Sequence, residues 1–200
     1  MNNDDVIVVV LTGGPCGGKS SLLEALRERT HLGGRVLYFV PEAATILIND
    51  GLDPADTMRF QNAVLSLQLK LEGEALSAAH ASGVPSVVVC DRGTMDGAAY
   101  CTSAQFDDIV AAHGYKRADM LFRYDLVVHL VSAAADVPDA YTTGNNEARF
   151  EDLDDAVALE NKTLNVWSDH LNRLVLRGYA SFADKLAAAM EAIESSLIPR

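Results

Sequence analysis

Gly13-Gly14-Pro15-Cys16-Gly17-Gly18-Lys19-Ser20 stands directly after an apolar, β-branched run at residues 6–11 and opens a helical pattern with Leu22, Leu23 and Leu26 at core spacing. The stretch fits G-x-x-x-x-G-K-[ST], with Gly13 and Gly18 at the fixed positions. Such a loop lets the chain wrap so that successive backbone N–H groups point at a β-phosphate. Lys19 would span the β- and γ-phosphates, and the Ser20 hydroxyl would coordinate Mg²⁺. A helix opening at Lys19 adds its positive dipole end. A glycine-rich turn can match this pattern by chance, but a strand before it and a helix after it argue for a phosphate loop. The expected nucleotide-binding set is Gly13, Gly14, Pro15, Cys16, Gly17, Gly18, Lys19, Ser20 and Ser21, with ATP or GTP as the ligand.

Outward from this loop, short β-branched runs alternate with longer helical patterns, as a parallel sheet covered on both faces requires. Strands are expected at residues 6–11, 36–40, 87–90, 126–131 and 174–176, and helices at about 19–30, 55–82, 106–113, 147–170 and 182–195. In the long helix, Phe60, Val64, Leu67, Leu71 and Ala75 or Leu76 recur at helical spacing and predict a core-facing stripe. The reading is an α/β fold in one domain over residues 1–200. Its only insertion is the polar stretch at about 136–150, which is read as a lid.

Two further strands deliver acids to the carboxyl edge of the sheet, where ligands of open α/β sheets sit. The third ends in Asp91-Arg92-Gly93, which predicts Asp91 as a holder of Mg²⁺ or its water and Arg92 as a partner of phosphate or of an anionic substrate group. A turn aspartate capping the next helix is the structural alternative. The second strand ends in Pro41-Glu42-Ala43-Ala44, and Glu42 is the candidate base for an acceptor hydroxyl. A helix-start acid is the alternative there. Asp96 reads equally well as a first-turn helix acid. Arg149, in the polar stretch, is a candidate arginine finger, or else a partner of Glu151, Asp152, Asp154 and Asp155.

Composition narrows the partners. Sixteen Lys plus Arg against 28 Asp plus Glu give a formal charge of -12, which disfavours nucleic acid. Three cysteines without paired spacing argue against disulfides and zinc. No run approaches the ~20 apolar residues that span a bilayer, and no basic start precedes the first apolar run, so a cytoplasmic location without membrane partners is expected. The five histidines have no metal-ligand spacing, and Trp167 reads as a core residue of a helix.

Leu11-Thr12-Gly13-Gly14-Pro15-Cys16-Gly17-Gly18-Lys19-Ser20, Pro41-Glu42-Ala43-Ala44-Thr45, Asp91-Arg92-Gly93-Thr94-Met95-Asp96 and Tyr141-Thr142-Thr143-Gly144-Asn145-Asn146-Glu147-Ala148-Arg149 occur in one order. Together they resemble the AAA-like ATPase and kinase family of P-loop proteins. That family includes the ribosylnicotinamide kinase part of the bacterial NAD-biosynthesis regulator and the animal TRPL translocation defect proteins. The resemblance implies a kinase-type P-loop NTPase fold with five parallel strands in the order 2-3-1-4-5, and it carries the nucleotide and Mg²⁺ site onto Gly13 to Ser20 and Asp91. More distantly, the position of Glu42 looks like that of the base in deoxynucleoside kinases. The chain departs from family members in having Arg177-Gly178-Tyr179 where an Asp-Asn pair often follows the fifth strand, which leaves the base preference open.

These readings favour an ATP-dependent kinase that phosphorylates a small nucleoside- or riboside-like alcohol between Glu42 and the long helix. The alternative is a nucleotide-binding regulator with slow ATP or GTP hydrolysis. Asn161-Lys162-Thr163-Leu164 lacks the Asp that reads guanine, and Asp91-Arg92-Gly93-Thr94 is not the Asp-x-x-Gly of a switch. Neither the acceptor's identity nor the oligomeric state is encoded in any local motif.

Overall fold

The computed structural model describes residues 5–132, 153–179 and 181–197. Its central strand is β1 (Val6–Thr12), whose residues are apolar from Val6 to Leu11 because both faces are covered. Val8 and Val10 point into one core and Val9 and Leu11 into the other, the two-residue period of a strand. Then follow α1 (Lys19–Arg27), β2 (His31–Leu32), β3 (Arg35–Val40), α2 (Ala43–Asn49), α3 (Thr57–Ser82) and β4 (Ser86–Asp91). A 3₁₀ turn (Asp96–Tyr100) leads to α4 (Ser103–Ala112), α5 (Arg117–Leu121) and β5 (Leu126–Leu130). Beyond the undescribed residues come α6 (Leu153–Val166), β6 (Arg173–Leu176) and α7 (Phe182–Ser196).

The sheet order is β2-β3-β4-β1-β5-β6. The five expected strands pair in parallel and in the expected order, with Val10 opposite Cys90 and Val40 opposite the same Cys90 on its other side. The expected five-stranded count is corrected to six. The addition is β2, which pairs antiparallel with β3 through the two-residue turn Gly33-Gly34, both at positive φ. Such a turn suits a tight hairpin, and a two-residue strand is too short to carry a periodic signal.

One core lies under α3, α4 and α5, with Phe106, Met120 and Trp167 in it; the other lies under α1 and α7, with Leu22, Leu26 and Ile193. The expected stripe along α3 is also corrected. Its fully buried positions are Phe60, Gln61, Leu65, Gln68, Glu72 and Ala79, whereas Val64, Leu67, Leu71, Ala75 and Leu76 are half-buried. The helix is rotated so that a polar stripe faces inward, because it borders a cavity and a buried hydrogen-bond network as well as apolar core. Asp56 caps its start through the Arg59 N–H. Residues 147–152 of the helix expected at about 147–170 and the expected lid at about 136–150 fall outside the described residues; α6 itself ends at Val166, before 170.

None of the three cysteines is in a disulfide. Among the described residues no helix is long and apolar enough to cross a membrane. Trp167 is fully buried, edge-on to the Tyr124 ring at 5.5 Å between centroids. Trp167→Ala should therefore lower unfolding stability by about 3–5 kcal/mol in urea titration, whereas Leu171→Ala, at a residue 92% exposed, should change it by less than about 0.5 kcal/mol.

Candidate active site

The loop from Gly13 to Ser20 joins β1 to α1 at the carboxyl edge of the sheet. Positive φ values at Gly13 (129°), Cys16 (57°) and Gly18 (100°) curl it into a concave turn of the kind whose N–H groups converge on an anion. Only glycine serves at position 13, since a Cβ there would stand 2.0 Å from the Leu130 carbonyl oxygen. No side chain caps the start of α1, and no acid lies in its first turn. Lys19 Nζ donates to the carbonyls of Gly13 at 2.8 Å and Gly14 at 2.9 Å. Burial, reinforced by the nearby Arg92 guanidinium, lowers the Lys19 pKa to about 8 against the pull of Glu42, Asp91 and Asp96. Ser20 is exposed on the first turn, with Ser21 half-buried beside it.

β3 and β4 bring their terminal acids to this loop. Arg92 follows Asp91 at a φ of 65°, a left-handed conformation that costs ~1–3 kcal/mol in a residue with a side chain. Two hydrogen bonds hold its backbone: its N–H donates to the Leu11 carbonyl at 3.0 Å, and its carbonyl accepts from Gln68 Nε2 at 3.2 Å. The guanidinium is thereby aimed back across the edge, with Nε 2.5 Å from Glu42 Oε1 and Nη1 3.3 Å from Asp96 Oδ1 and 3.4 Å from the Gly13 carbonyl.

Glu42 is the N-cap residue of α2 by position, yet its side chain caps no backbone group; its second oxygen accepts from the Thr45 hydroxyl at 2.7 Å. Burial pushes its pKa up, and the Arg92 charge with the Thr45 and Arg92 hydrogen bonds more than offsets this, leaving the carboxyl below its ordinary value. Asp91 receives no hydrogen bond from the described residues and caps no helix. Burial and the neighbouring Glu42 raise its pKa, against Lys19 and Arg92. Asp96 is buried and accepts from Thr12 Oγ1 at 2.5 Å and the Gly93 N–H at 2.8 Å.

The back of the loop rests on residues the sequence reading did not single out. Glu160 of α6, 2% exposed, accepts from the N–H groups of Gly14 at 2.7 Å and Ser132 at 2.9 Å and pairs with the buried His129 at the end of β5. Burial raises its pKa, and His129 together with the two N–H groups more than offsets that, so the carboxyl lies below its ordinary value. Ser132 Oγ donates to the Pro15 carbonyl, and Lys185 of α7 donates to the Val131 carbonyl. Only an acid at an inward position of α6 could have signalled this support in the sequence.

A cavity of about 300 Å³ opens on the other side of Arg92. Its walls are Phe60, Val64, Leu65 and Phe106. Glu42, Arg92 and Asp96 stand at one end, with Gln61, Gln68 and Tyr100 also lining it. The structure thus brings Gly13 to Ser20, Glu42, Asp91 and Arg92 together around one edge; Arg149 lies outside the described residues.

Residues 8–185 match the model of a family described as an AAA domain. The chain belongs to this AAA-domain family. A search of curated proteins finds no match. Among solved structures, the AAA-domain chain is similar to the NadR protein crystallised with NAD and AMP-PNP, at 15% identity and a TM-score of 0.63. The likeness covers 98% of this chain and 51% of that one, so this chain spans about half the length of NadR. At that identity the likeness concerns the fold alone: a mostly parallel α/β sheet flanked by helices.

In this AAA-domain protein, Glu160→Ala would strand two buried N–H groups and His129, and should lower stability by about 3–5 kcal/mol, with Glu160→Gln costing less. Because the folded carboxyl lies below its ordinary pKa, its contribution is fully present above the ordinary carboxylate range. It is lost as pH falls through the lowered value. The gap between parent and Glu160→Gln urea midpoints should be widest near pH 7 and close in acid.

Proposed function

We propose that this protein binds a Mg-nucleoside triphosphate, ATP or GTP, on residues 13–21 and transfers its γ-phosphoryl group to a hydroxyl of a small nucleoside- or riboside-like molecule in the cavity. The observation that carries the reading is the position of Arg92. Its guanidinium touches Gly13 of the loop and Glu42 of the cavity at once, so nucleotide and acceptor would meet across one side chain. The uncapped start of α1 and the curled loop supply N–H groups and a positive dipole end for the phosphates. The AMP-PNP bound to the structurally similar NadR supports a nucleotide as the ligand.

In this reading Lys19 exchanges the loop carbonyls for β- and γ-phosphate oxygens, and the added negative charge keeps it protonated. Glu42, ionised at neutral pH, accepts a hydrogen bond from the acceptor hydroxyl and takes its proton as the new O–P bond forms and the β,γ-bridging O–P bond breaks. Arg92 stabilises charge on the transferring group while orienting Glu42. Mg²⁺ characteristically takes one or two protein oxygens and completes its shell with phosphates and water. Asp91, with its carboxylate unengaged by the described residues, and the exposed Ser20 hydroxyl fit that role. Bound there, the ion would neutralise phosphate charge. Arg149 is proposed only as an additional contributor to charge stabilisation.

Mg-ATP or Mg-GTP should raise the unfolding temperature, and Lys19→Ala should abolish the shift. Glu42→Gln should keep nucleotide affinity while cutting transfer to an acceptor by ~10²–10⁴-fold. Transfer at the parent rate in Glu42→Gln would move the base to another carboxylate. If hydrolysis alone is seen, with no dependence on Glu42, the chain is better described as a slow nucleotide-hydrolysing regulator.

A further inference from the structure

Behind the phosphate loop lies a buried pair that the proposed chemistry does not use. His129 of β5 is fully buried, and Glu160 of α6 is 2% exposed. The ring's Nε2 faces Glu160 Oε1, whereas its Nδ1 has no partner among the described residues. A buried imidazole whose one side-chain hydrogen bond goes to Glu160 holds that carboxylate in a single orientation. The second oxygen, Oε2, is thereby presented to the loop, where it accepts from the Gly14 N–H at 2.7 Å and the Ser132 N–H at 2.9 Å.

The Gly14 N–H and the Gly13 carbonyl belong to one planar peptide and point to opposite sides of it. On the far side the Gly13 carbonyl accepts from Lys19 Nζ at 2.8 Å and from Arg92 Nη1 at 3.4 Å, so this single unit couples the carboxylate of α6 to both cations of the site. A peptide between two glycines turns over more freely than any other, since neither neighbour has a Cβ to resist. Turned over here, its carbonyl would meet the Glu160 carboxylate and its N–H would face Lys19 and Arg92, two repulsive contacts in a buried setting. The sequence carries a trace of this contact. The loop pattern leaves position 14 open, and Gly14 lies outside the left-handed region, yet a Cβ there would stand 2.5 Å from Glu160 Oε2. Glycine at position 14 makes room for Glu160.

We propose that Glu160, oriented by His129, is a positioning residue for nucleotide binding that locks the Gly13–Gly14 peptide with its carbonyl toward Lys19 and Arg92. This rests on the nucleotide reading of residues 13–21 and is independent of the acceptor. Without the lock the peptide populates both orientations, and apparent affinity falls by the fraction of chains whose loop is competent.

The test is calorimetric titration of the full chain with Mg-AMP-PNP, beside urea unfolding of each variant. Glu160→Met keeps the side chain's length but has no oxygen to offer, and should weaken AMP-PNP binding by about tenfold or more. Glu160→Gln can still turn its carbonyl to both N–H groups with its NH₂ toward His129, and should stay within about threefold of the parent. Ile193→Ala opens a hole in the core under α1 and α7 and controls for lost stability alone, so its affinity should stay within about twofold. Parent-like binding by Glu160→Met, or an equal loss in Ile193→Ala or in Glu160→Gln, overturns the proposal and leaves the nucleotide reading standing. If the parent itself does not bind AMP-PNP, the nucleotide reading fails, and this inference with it. Should Glu160→Met not fold, hydrogen exchange followed by NMR on the parent decides. The Gly14 amide should be protected with and without Mg-AMP-PNP, and exchange as fast as that of the exposed Gly33 and Gly34 amides overturns the lock.

Discussion

The Arg92 guanidinium, held between Glu42 and Asp96, ties together the ends of three adjacent strands. Without it, Glu42, Asp91 and Asp96 would crowd one edge of the sheet with like charge in a partly buried setting, where repulsion is poorly screened. Its strained left-handed backbone is what turns the side chain back over the loop, and Gln68 and Leu11 hold that backbone from opposite sides. The chain as a whole is acidic, with a formal charge of -12, yet Lys19 and Arg92 stand together at this one edge. Those two cations, beside the N–H groups of the loop, are what an anionic ligand would meet at short range.

The loop's rear support follows from the same economy of buried polar groups. Gly14 and Ser132 N–H groups have no strand partner at the carboxyl edge, and Glu160 supplies one acceptor for both. Because Glu160 belongs to α6 and Lys185 to α7, the helices that follow β5 and β6 both brace the β5 end against which the loop is folded. The shape of the loop is thereby set by tertiary structure as well as by its glycines.

What could be read from the sequence divides along physical lines. The phosphate loop, the five parallel strands and the placement of Glu42 and Asp91 at strand ends were legible, because each depends on backbone pattern over a few residues. Asp96 read as a helix acid, and its burial against Thr12 depends on contacts 84 positions apart. The inward stripe of α3 was misread because the expected stripe followed Phe60, Val64, Leu67 and Leu71. The buried face carries Gln61, Gln68 and Glu72 at the same helical period, and their polarity hid them. The hairpin strand β2 and the seven-residue α2 were too short for periodicity, although Gly33-Gly34 marks the turn of the first.

Transfer of the γ-phosphoryl group from the nucleotide to an alcohol in the cavity beside Glu42 is tested most directly by following the phosphorus of ATP by ³¹P NMR while the full chain is incubated with Mg²⁺ and a panel of ribosides. The γ signal is expected to be replaced by that of a phosphomonoester on one riboside, with the β signal becoming that of ADP. A γ signal that passes only into inorganic phosphate, whichever riboside is present, would contradict it.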